Sequence, residues 1–81
     1  MRVIEEIPHP QLKITIFGWN EKYILKFEAG QYEQSYKISQ LDVMGVDELK
    51  EMITPEFLAK VMDRFTAMSK DFLEEFRKLN Q

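Results

Sequence analysis

Few residues of this 81-residue chain could do chemistry, and their spacing argues against it. His9 is the single imidazole, set between Pro8 and Pro10. A metal ligand or general base needs partners converging on the ring, and two prolines hold this stretch extended, so His9 reads as an exposed loop residue. Glu5 with Glu6 and Glu74 with Glu75 are paired carboxylates by number only, because adjacent residues on a strand or helix do not face one another. Ser35, Ser39 and Ser69 stand outside any G-x-S-x-G turn, and Gly18, Gly30 and Gly45 lie too far apart to cradle a phosphate. With no cysteine and one histidine, no catalytic residue, cofactor or metal centre is expected.

One cluster invites a binding role. Phe17, Trp19 and Ile24 fall on the face of the expected strands that also carries Lys13, Lys22, Lys26 and Lys37. Aromatic rings interleaved with lysine on an open sheet bind single-stranded nucleic acid by stacking bases and tracking phosphates. The plainer alternative is that the N-terminal segment or a partner covers the three apolar side chains. The charge pattern favours the plainer one. Arg2, Lys13, Lys22, Lys26 and Lys37 offset Glu5, Glu6, Glu21, Glu28 and Glu33, so the sheet region is neutral. The helical region from Thr54 balances as well, and the net charge of −3 resides in Asp42 to Ile53, where Asp42, Asp47, Glu48 and Glu51 face Lys50. That acidic connector reads as a solvated linker, with a basic partner as the sharper option. Duplex-DNA binding through a basic face is not expected.

The elements that position these residues follow from periodicity. Leu12 to Ile38 alternates apolar and polar with period two, the mark of antiparallel strands joined by short turns. A turn at Asn20 and Glu21 pairs Phe17 with Ile24, Ile16 with Leu25 and Ile14 with Phe27. A turn at Ala29 and Gly30 pairs Phe27 with Tyr32, Lys26 with Glu33 and Tyr23 with Tyr36. The predicted core face holds Leu12, Ile14, Ile16, Tyr23, Leu25, Phe27, Tyr32, Tyr36 and Ile38, with Gln34 as the odd member. Val3, Ile4 and Ile7 either add a strand or fold over Phe17, Trp19 and Ile24.

After Ile38 the period changes to that of a helix. Asp47 is the expected cap of a short helix carrying Leu49, Met52 and Ile53, and Thr54 with Pro55 opens a long one. Ile53 and Leu58 are spaced as a hydrophobic staple. Phe57, Leu58, Val61, Met62, Phe65, Met68, Phe72, Leu73, Phe76 and Leu79 fall on one stripe, with no glycine or proline after Pro55 to end it. Met44, Met52, Met62 and Met68 read as core filler.

These elements predict one α+β domain of two layers over residues 1–81. Residues 1–11 form an extended segment or extra strand, 12–39 a β-meander of three to four strands in all, 40–53 an acidic connector with a short helix, and 54–80 a long amphipathic C-terminal helix. The lengths do not match. A helix from Pro55 to Leu79 spans about 37 Å, whereas strands of seven residues reach about 23 Å. The last two turns, with Phe72, Leu73, Phe76 and Leu79, therefore overhang the sheet. A small chain without disulfides or metal is commonly reinforced by self-association, so these four side chains are the expected contact of a homodimer. The expected function is a non-enzymatic protein-interaction or regulatory module acting as that dimer, with an unidentified protein as another possible partner. The alternative is single-stranded nucleic-acid binding through Phe17, Trp19, Lys22 and Lys26. The N-terminus lacks the apolar run of a signal peptide and no segment reaches the ~18 apolar residues of a membrane span, so a cytoplasmic protein without membrane contact is expected.

Overall fold

The computed structural model describes residues 1–79, and within them four strands precede two helices. Strands β1 (Arg2–Ile7), β2 (Lys13–Trp19), β3 (Lys22–Ala29) and β4 (Tyr32–Ser39) form one antiparallel sheet in sequence order. A short helix, α1 (Val46–Lys50), and a 24-residue helix, α2 (Pro55–Lys78), follow on one face. The α+β class, the meander and the long C-terminal helix are those the periodicity predicts. Asn80, the last residue expected in that helix, lies outside the described residues.

The first hairpin has the predicted register, with Phe17 opposite Ile24, Ile16 opposite Leu25 and Ile14 opposite Phe27. Asn20 and Glu21 both take positive φ, 56° and 64°, as a two-residue turn of type I′ requires. The second hairpin departs from expectation by two residues. Ala29 pairs with Tyr32, Phe27 with Gln34, Lys26 with Ser35 and Tyr23 with Ile38, so the turn is Gly30 and Gln31. Gly30 has φ of 60°, and a glycine placed first in the turn accepts this conformation without steric cost, whereas the expected order would have put Ala29 there. A slip of two residues keeps every side chain on its face, so the core prediction survives the wrong pairing.

The N-terminal residues extend the sheet as β1 and do not fold over Phe17, Trp19 and Ile24; Ile24 is buried by its own sheet neighbours, Phe17 is half-buried and Trp19 is exposed. Between Val3 and Glu5 the register shifts by a bulge. An extra residue in one strand re-aims its neighbours. Ile4 reaches over Gly18, where an added Cβ would lie 2.8 Å from the Ile4 Cδ1, and Glu5 forms an ion pair with Lys50 of α1. His9 lies in the loop as expected, but half-buried and bonded rather than exposed. Its Nδ1 accepts from the backbone N–H of Gln11 and of Leu12, each at 3.1 Å, which fixes the β1 to β2 connection.

The core lies between the sheet and the helices: Leu12, Ile14, Ile16, Leu25, Phe27, Leu49, Val61 and Phe65 are buried together. Phe57 of α2 meets Phe27 edge-on at 5.7 Å and Tyr36 at 5.8 Å. Gln34, the odd polar residue of this face, donates its Nε2 to the Val61 carbonyl at 3.0 Å and so ties β4 to the second turn of α2. Its Oε1 is buried and finds no partner among the described residues.

Two details of the helices correct the sequence reading. The α1 N-cap is Gly45, not Asp47, which lies inside the first turn, and the cap has no side-chain bond. Met44 and Met52 are exposed, while Met62 and Met68 pack on the core as expected. For α2 the start is as predicted: the Thr54 hydroxyl accepts from the Phe57 N–H at 3.1 Å, with Pro55 at the first helical position. Ile53 and Leu58 both pack against the core.

Two predictions follow from this packing. Leu49 is the single fully buried side chain of a five-residue helix, so Leu49→Ala lowers unfolding free energy by roughly 2–4 kcal/mol in urea titrations. The Lys50 ammonium is raised above its ordinary lysine value, first by its hydrogen bond to Glu5 and then by attraction to Glu5 and Asp47, against an opposing effect of desolvation. A raised pKa in the folded state adds stability that is full below the unfolded value of about 10.4 and is lost as pH rises through the folded one. In thermal melts from about pH 9 to about pH 12, the stability advantage of the native chain over Lys50→Met therefore shrinks toward the alkaline end.

Candidate interaction surfaces

An uninterrupted apolar stripe gives α2 its direction, and the sheet beneath it runs out first. From Lys70 to Leu79 every residue is exposed. Tyr32, at the start of β4, gives the stripe its last footing: its ring meets Phe72 edge-on at 6.0 Å. Phe76 then stacks on Phe72 at 5.6 Å. This aromatic ladder climbs off the end of the sheet, and Phe72 remains 45% and Phe76 49% exposed, with Leu73 and Leu79 exposed beside them. Strand β1 does not support it, because it lies at the far edge of the sheet from β4, the strand on which α2 rests. The projection shows in the overall shape. The molecule measures 51 × 27 × 19 Å, and its radius of gyration is 14.8 Å, where a compact domain of this length has about 12 Å.

The opposite sheet face carries a second surface. The register sets Phe17 opposite Ile24 on β3 and Val3 on β1. Phe17 and Ile24, with Trp19, Lys26, Glu33 and Lys37, border an open depression of about 520 Å³. Ile24 is buried at its floor, and Trp19 stands 52% exposed at its rim. Thr15, also on this face, is buried between Glu6 and Lys26 of the flanking strands, and its Oγ1 has no partner among the described residues. Lys26 is already engaged. Its Nζ lies 3.1 Å from Glu33 and 3.7 Å from Glu28, and 5.7 Å from the centre of the Phe17 ring. The hydrogen bond to Glu33 and the charges of Glu33 and Glu28 raise its pKa above the ordinary lysine value. The expected pairing set Lys26 directly opposite Glu33; in the observed register Lys26 stands opposite Ser35, and its ammonium still reaches Glu33 diagonally across the strands and Glu28 along its own strand.

The acidic connector is open. Met44, Asp47, Glu48 and Glu51 line a shallow depression around α1, and Glu48 accepts from the Met44 N–H at 3.3 Å. Among the described residues no group of three or more His, Cys, Asp or Glu could hold a metal ion, and no helix is long and apolar enough to cross a membrane. No protein-family model, curated protein or solved structure matches the chain.

Since the single tryptophan reports on the outer depression, its fluorescence is expected to be quenched efficiently by acrylamide in the native chain. It should remain so when the α2 overhang is covered; a strongly shielded Trp19 would show that this face, too, is occupied.

Proposed function

We propose that the chain is a non-enzymatic protein-interaction or regulatory module that works as a homodimer through the overhanging end of α2. The supporting observation is the exposed ladder of Phe72 and Phe76 with Leu73 and Leu79 on its flanks. Full burial of such side chains is worth roughly 1.5–3 kcal/mol each, and covering the half of that surface still exposed is worth several kcal/mol in all, a large share of the stability of a fold this small. A self-complementary patch needs only one surface, which makes a second copy the simplest cover. In solution the native chain is expected at twice its 9.7 kDa mass, and Phe72→Asp combined with Phe76→Asp at the single-chain mass with its helix content retained. A native chain that stays monomeric at high concentration overturns the reading.

A second reading, single-stranded nucleic-acid binding at the outer depression, draws on Phe17, Trp19, Lys22, Lys26 and Lys37. The exposed rings bordering the depression favour it, and the two glutamates beside Lys26 count against it. It requires salt-sensitive binding to a labelled oligonucleotide that Trp19→Ala weakens several-fold, since stacking is worth ~1–3 kcal/mol per base. No binding at low salt removes it.

A further inference from the structure

The free edge of β4 carries its own specification for a mate. β4 is the last strand of the sheet, eight residues long without proline or bulge, whereas β1 at the other edge is broken by the bulge between Val3 and Glu5. The two residues that flank a two-residue hairpin turn exchange both backbone bonds, so Tyr32 and every second residue after it address β3. Glu33, Ser35 and Lys37 consequently aim N–H and C=O away from the sheet, and none of the three has a backbone partner there among the described residues.

We propose that β4 pairs antiparallel with β4 of a second copy, with Ser35 on the twofold axis, to give a continuous eight-stranded sheet. The register follows from charge. With Ser35 opposite Ser35, Glu33 of each copy faces Lys37 of the other on the outer face, and Tyr32 faces Ile38 on the inner one. Centring the pair two residues earlier sets Glu33 against Glu33, and two residues later sets Lys37 against Lys37, both repulsive. Centring it on Gln34 or Tyr36 leaves the charges facing neutral side chains. A pairing shifted by an odd number of residues would turn one core face toward solvent. Lys37 has no carboxylate partner among the described residues, and Glu33 remains largely exposed beside Lys26, so both are available. The same rotation brings the second copy's connector, where Leu41 is 95% and Met44 94% exposed, to the end of the sheet past which α2 projects.

This inference rests on the self-association proposed above and gives it a different contact: the two α2 ends lie at opposite ends of the joined sheet, each beside the other copy's connector rather than against the other α2. The test mixes two charge variants. In Lys37→Glu chains glutamates face each other across the axis, and in Glu33→Lys chains lysines do, so each variant alone should self-associate roughly tenfold more weakly than the native chain. Mixed together they regain opposite charges at both positions and form a heterodimer at near-native affinity, read by sedimentation or by native mass spectrometry. As a second measurement, Ser35→Cys in a chain with no other cysteine yields an interchain disulfide on mild oxidation, because residues paired on the axis lie about 5.5 Å apart at Cα. A native dimer whose affinity ignores both charge variants, with no preference for the heterodimer and no Ser35→Cys cross-link, overturns the β4 pairing while leaving a dimer through α2. A monomeric native chain overturns both.

Discussion

Two-residue turns set the length of this sheet, and nothing comparable sets the length of its helix. Asn20–Glu21 and Gly30–Gln31 reverse the chain so tightly that β2, β3 and β4 share ends, which limits the layer to seven or eight residues. The helix laid on it has 24 residues and no breaker after Pro55. Two layers of unequal length cannot both be finished by the same core. The surplus appears as the exposed turns after Lys70, and the elongated shape, the aromatic ladder and the unprotected leucines all derive from it.

The two faces of the sheet handle apolar surface differently. On the inner face Phe27, Phe57 and Tyr36 form an aromatic cluster under the start of α2, and Gln34 locks the second turn of that helix to β4 by one directed bond. On the outer face Phe17 and Ile24 are held together by cross-strand pairing alone, with Lys26 lying over the Phe17 ring and anchored by two glutamates. An ammonium fixed in this way shields part of the ring from water while remaining solvated itself. The outer patch is thus partly self-covered, whereas the end of α2 has only Tyr32 beneath it.

Much of this was legible in the residues. Alternation from Leu12 to Ile38 marked the strands, and apolar pairs such as Phe17 with Ile24 and Ile14 with Phe27 set the first register, because a slip of one residue would have mixed the faces. The second register was misread since a two-residue shift leaves the faces unchanged, and hydrophobic pattern then has nothing to say; turn chemistry decides, and glycine belonged first in the turn. The Gly45 cap escaped because Asp47 carries the usual capping group two residues later. Met44 and Met52 were placed by composition, whereas their surroundings depend on a connector without periodicity. The stripe of α2 was plain from spacing, and that its end would be bare required only the comparison of two lengths. Interactions that join distant segments, such as Glu5 with Lys50 or Ile4 over Gly18, had no local signal.

The bulge in β1 acts on more than its neighbours. A sheet with two open edges can add strands without end, and such growth is how filaments start. Here one border is kinked by an additional residue and followed by two prolines, so extension on that side is blocked. With β4 paired as proposed, a layer that can be lengthened from one side alone is closed by a single further copy, and that pairing carries its own ceiling on stoichiometry and a safeguard against fibrous growth.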